Sequence, residues 1–92
     1  MYDFIGRSVL VNGSVQGVFF RATAAEVAKK LGLHGWVKNL PSGQVLVEVF
    51  GLKSDVDDFI EWCRQGPPMA TVSDLKVEKI PMRDEGDFRV EY

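Results

Sequence analysis

The chain has 92 residues, 46% hydrophobic and 26% charged, a balance that suits one folded core and excludes a disordered polyelectrolyte. Its 11 basic and 13 acidic side chains leave a formal charge of −2, so no general field draws it to nucleic acid or to anionic membranes. The single cysteine and single histidine exclude an intramolecular disulfide, a cysteine-based zinc centre and most triad chemistry.

A chain of this length is expected to form one domain over residues 1–92. Its first residues, Met1 to Arg7, show no apolar run behind a basic start, so no secretory leader is expected. Nor does any stretch reach the length of a membrane span. The expectation is a cytoplasmic monomer that binds neither nucleic acid nor membrane.

Arg7 to Asn12 is short, apolar and β-branched, and predicts a first strand that ends at Gly13. A loop punctuated by Gly13 and Gly17 follows. Phe20, Ala24, Val27, Ala28 and Leu31 then recur at helical spacing, predicting a helix from about Arg21 that Gly32 ends. His34 to Asn39 reads as a second strand, Leu40-Pro41-Ser42-Gly43 as a tight turn, and Gln44 to Phe50 as a third strand. In that strand Val45, Val47 and Val49 share one face, with Leu46, Glu48 and Phe50 on the other. Ser54 and Asp57 resemble a capping box at the start of a second helix, whose stripe is Val56, Phe59, Ile60 and Cys63 and whose stop is Gly66-Pro67-Pro68. Cys63 lies on that stripe and reads as a buried structural thiol. Thr71 to Ile80 predicts another strand, and the alternation of Phe88, Val90 and Tyr92 a last one at an edge.

The order is strand, helix, strand, strand, helix, strand, with a further strand at the end. Two crossover units joined by a hairpin predict an α+β, ferredoxin-like two-layer sandwich: an antiparallel sheet with both helices on one face.

The loop from Val15 to Phe20 joins a strand to a helix N-terminus, where unpaired N–H groups and the positive end of the helix dipole favour an anion. Gly13 and Gly17 would let successive amides curl into a nest for phosphate, and the Arg21 guanidinium could grip two of its oxygens. The loop lacks the Gly-Lys-Ser/Thr ending of a nucleotide-binding P-loop. On residues alone, the rival reading is that both glycines merely turn the chain and Arg21 is solvated. Asn39, entering the hairpin turn, reads on the same basis as an asparagine bonded to its own backbone.

A resemblance changes that weighting. Val11-Asn12-Gly13-Ser14-Val15-Gln16-Gly17-Val18-Phe19-Phe20-Arg21 resembles the first signature of the acylphosphatase family. Gly35-Trp36-Val37-Lys38-Asn39, followed by Gly43, Val45 and Gly51, is similar to its second signature in residue type and spacing. The likeness runs from about Arg7 to the end of the chain, and that family has the sandwich fold reached above from periodicity. It implies hydrolysis of small acyl phosphates to a carboxylate and inorganic phosphate, without metal or cofactor. It also implies that Arg21 and the backbone amides of Val15, Gln16, Gly17, Val18, Phe19 and Phe20 hold the phosphate, while Asn39 orients the attacking water. Inorganic phosphate or sulfate should then compete with substrate.

Two other functions fit the element order. An RNA-recognition module would need exposed aromatic and basic residues on its strands, which Val45 to Phe50 does not supply. A non-catalytic phosphate- or carboxylate-binding regulator on the same scaffold would keep the loop and dispense with a water-positioning group, whereas Asn39 is present.

Overall fold

A computed structural model describes residues 3–92; Met1 and Tyr2, the start of the stretch read for a leader, lie outside the described residues. The elements are β1 (Phe4–Ser14), α1 (Phe20–Lys30), β2 (His34–Asn39), β3 (Val45–Leu52), α2 (Lys53–Gln65), β4 (Thr71–Ile80) and β5 (Arg89–Glu91). They build one sheet in the order β4-β1-β3-β2-β5. β3 lies antiparallel to both β1 and β2, and β4 antiparallel to β1. Each helix therefore links two strands that run the same way with a third between them, the ferredoxin-like arrangement expected from the element order.

The sheet is mixed, however, because β5 runs parallel to β2. After β4 at one edge, the chain crosses the face of the sheet away from the helices and enters β5 at the other edge. Three contacts mark this crossing. The Arg83 guanidinium lies 4.9 Å from the Phe50 ring and bonds Glu48, both on the central strand. His34 Nδ1 then meets Gly86 O at 2.7 Å on β2. The crossing explains why Phe50 is fully buried although it points away from the helices with Leu46 and Glu48. Its ring lies over Gly6, its partner across β1 and β3, where an added Cβ would come within 2.8 Å of it.

The helices cover the opposite face. Phe20, Ala24 and Ala28 of α1 and Val56, Phe59, Ile60 and Cys63 of α2 are buried against Val9, Val11, Val37, Val45, Val47 and Val49 of the sheet. Fully burying each of the Val, Ile and Phe side chains among them contributes roughly 1.5–3 kcal/mol. Phe88, just before the last strand, reaches this core 5.9 Å from Phe59.

β1 extends beyond its predicted ends because it is paired on both sides. Its register with β4 shifts between Asn12 and Gly13. Gly13 is required at that bulge: its φ is +131°, and a Cβ would meet Thr71 O at 2.1 Å. The expected capping box of α2 is absent. Leu52 is the N-cap with no side-chain bond, Ser54 lies inside the helix, and Asp57 pairs with Lys53 at 2.7 Å. The first amide, Lys53 N–H, donates instead to Asp3 O at 2.9 Å, so backbone from the start of the chain does the work assigned to Ser54. Among the described residues no helix is long and apolar enough to cross a membrane.

Candidate active site

The chain between β1 and α1 bends through two left-handed residues, Gly17 at φ 74° and Phe19 at φ 64°. Glycine takes this conformation freely, but an aromatic residue pays about 1–3 kcal/mol for it. Phe19 is nevertheless the N-cap of α1, and its carbonyl accepts from both Thr23 N and Thr23 Oγ. Among the described residues, no amide from Val15 to Phe20 donates to a backbone carbonyl. The first turn of α1 carries no acidic residue, so the dipole's positive end is uncompensated and Arg21 adds a full charge to it. A Cβ built on Gly17 would meet nothing within 4 Å. The loop thus presents free donors, positive potential and open space, the requirements of an anion site.

The loop is anchored beneath and beside this opening. Val15 and Phe20 are buried, and the Phe20 ring packs 5.3 Å from Trp62. Gln16 Nε2 donates to Leu40 O and to Gln44 O, each at 2.8 Å, tying the loop to the β2–β3 turn.

Asn39 is the last residue of β2 and pairs with Val45. Alternation separates it from Lys38, which lies over the Trp36 ring on the other face at 5.3 Å. The Asn39 Oδ1 atom is buried and has no hydrogen-bond partner. An asparagine satisfying its own turn would not leave that oxygen orphaned, and an unpaired buried acceptor costs about 1–3 kcal/mol. A cavity of about 250 Å³ brings Asn39 together with Val15, Gly17, Phe19, Phe20 and Arg21.

The cavity has a wall that the sequence reading missed. Val90 and Tyr92 line it, and the chain's end steadies Arg21 through a long bond from Nη1 to Glu91 O at 3.4 Å and the Tyr92 ring at 4.9 Å. The alternation of Phe88, Val90 and Tyr92 signals a strand. That this strand lies beside β2, over the helix N-terminus, is a tertiary fact with no local signal.

Other candidates fall away from the cavity. Cys63 is buried on α2, where desolvation pushes its thiol well above the usual range. Trp62 packs between Phe20 and Phe59. Among the described residues no three His, Cys, Asp or Glu side chains group as a metal site would need.

Known proteins with this architecture point in one direction. The family model for acylphosphatase matches residues 7–90. An acylphosphatase of Anaeromyxobacter dehalogenans is 42% identical over 100% of this chain and 100% of its own. One from Methylococcus capsulatus is 49% identical over 84% of each chain. The solved structure of an acylphosphatase from Coxiella burnetii superposes with a TM-score of 0.93 at 42% identity, covering 97% of this chain and 94% of that one. The match takes in the loop, Arg21, the β2–β3 hairpin and the last strand alike, and the chain belongs to the acylphosphatase family.

Proposed function

We propose that this chain's acylphosphatase activity, hydrolysis of a carboxyl–phosphate anhydride to carboxylate and inorganic phosphate, takes place in the cavity between the Val15–Phe20 loop and Asn39. The phosphoryl group sits on the loop amides with Arg21 across two of its oxygens. Asn39 Oδ1 accepts a hydrogen bond from the attacking water and aims it at phosphorus. The water oxygen bonds phosphorus as the bond to the acyl oxygen breaks, and the carboxylate departs with the electron pair. The water's proton passes to a phosphate oxygen. A carboxylate is a good leaving group, so no strong acid is needed, and positioning and charge stabilisation carry the rate.

The observation that carries this reading is the orphaned Oδ1 of Asn39 in a cavity it shares with Arg21 and the free loop amides. A non-catalytic regulator has no use for a buried, unpaired acceptor beside its anion site. The reading further includes independence of metal, competition by inorganic phosphate or sulfate, and a single-domain, cytoplasmic monomer.

The test is kinetics and phosphate titration of two variants, run in chelator with folding checked by circular dichroism. The wild-type chain should stay active under those conditions. Asn39→Ala should lower turnover by ~10²-fold or more, the scale of a misplaced reactant, and leave phosphate affinity nearly unchanged. Arg21→Ala should lose both. A folded Asn39→Ala variant with full turnover would return Asn39 to the role of a turn residue.

A further inference from the structure

β1 delivers the phosphate loop and β2 delivers Asn39, yet these strands are not neighbours, because β3 lies between them. One side chain spans that gap. Gln16 spends both N–H donors of its amide on Leu40 O and Gln44 O, at 2.8 Å each and across sequence separations of 24 and 28 residues. These are the two carbonyls that close the β2–β3 turn: Leu40 N donates to Gln44 O at 2.8 Å, and Gly43 N donates to Leu40 O at 3.1 Å. Leu40 directly follows Asn39, and Gln44 directly precedes Val45, the cross-strand partner of Asn39. A second brace holds the turn to β1, since Gln44 Nε2 donates to Asn12 Oδ1 at 2.6 Å and Ser42 Oγ donates to Gln44 Oε1 at 2.6 Å.

We infer that Gln16 is a positioning residue whose side chain fixes the distance between the phosphate cradle and the water held by Asn39, so that it acts on turnover through Asn39. This rests on the reading of Asn39 as the group that orients water. The fold asks little of the Gln16 amide. Leu40 O and Gln44 O each keep a backbone N–H when Gln16 is removed, so neither carbonyl is orphaned and the turn stays closed. The chemistry asks much more, because a displacement near 1 Å between nucleophile and phosphorus can cost ~10²-fold in rate.

A double-mutant cycle separates this role from simple support of the loop. Gln16→Met keeps the length of the side chain and removes its polar atoms. Gln16→Leu, run beside it, is likewise uncharged and without donors, which secures the test if one variant does not fold. Turnover and phosphate affinity are measured for each variant with Asn39 present and in the Asn39→Ala background. Either Gln16 variant should lower kcat by roughly 10-fold or more while the Kd for inorganic phosphate moves less than about threefold. In the Asn39→Ala background the same change should cost less than about twofold, since the group through which Gln16 acts is gone. An equal loss in both backgrounds, or a loss of phosphate affinity matching the loss of kcat, would overturn the inference and leave the Asn39 reading standing. Full turnover in Asn39→Ala alone would instead sink the reading beneath it.

Discussion

At Arg21 charge and shape make separate demands. The charge sits in the first turn of α1 with no acidic neighbour there, a placement that disfavours the isolated helix and favours an anion. The shape is a planar fork, steadied by Glu91 O and the Tyr92 ring, and only a fork can hold two phosphate oxygens together. Arg21→Lys preserves the first property and loses the second. It should lower turnover by up to ~10³-fold, the scale set by arginines that stabilise phosphoryl-transfer transition states, and steady-state kinetics will measure it. Near-normal turnover would mean that charge alone suffices. The conformation of the loop and the place of Arg21 at a helix start are legible in the sequence because glycines, a helix start and a basic residue fall together. Asn39 is legible only through the family's second signature, since its local pattern is that of any turn asparagine. What distinguishes it is an oxygen buried without a partner, a property conferred by strands distant in sequence. The Gln16 side chain is unreadable for the same reason: its two acceptors lie 24 and 28 residues away.

The elements follow from local pattern wherever one face meets the core. β2 and β4 have their expected limits, and the stripes of α1 and α2 are the buried faces of those helices. Expectation failed where distant backbone decides. Asp3 O rather than Ser54 satisfies the first amide of α2, and β5 pairs with β2 in parallel because the chain crosses the sheet before reaching it. That crossing segment gives the open face a core of its own. Phe50 is fully buried beneath it, while Met82, within the same segment, is 44% exposed. Phe50→Ala should therefore cost about 3–5 kcal/mol, as for a buried aromatic ring, whereas Met82→Ala should stay within about 0.5 kcal/mol. Equilibrium denaturation in urea measures both. Equal, small effects would mean that the segment lies loosely and Phe50 is covered in name only.

For the molecule as a whole, the proposed anion site and the core should be linked through the folding equilibrium. A ligand that binds only the folded chain stabilises it by RT ln(1 + [L]/Kd), about 2.7 kcal/mol at a hundred times Kd. Cys63 is a built-in reporter of that linkage. Its thiol lies in the core between α2 and the sheet, fully buried, and burial also holds it in the unreactive protonated form. An alkylating reagent can reach it only when the packing opens, so the labelling rate follows the open population when reclosing is fast. The Val15–Phe20 loop leads straight into α1, and Phe20 packs on Trp62, the residue before Cys63 on α2. Opening the core around Cys63 should therefore dismantle the proposed phosphate cradle. Inorganic phosphate at a hundred times Kd should slow Cys63 alkylation by ~10²-fold, the same 2.7 kcal/mol read as a rate. Arg21→Ala should abolish most of that protection, and Asn39→Ala should retain it, because in the proposed mechanism Asn39 meets the water and not the phosphate. If phosphate leaves the labelling rate unchanged in the wild-type chain, α2 opens alone and the site is not part of its cooperative unit. If Asn39→Ala loses the protection as completely as Arg21→Ala, Asn39 belongs to the cradle and the division of labour proposed for the two residues is wrong.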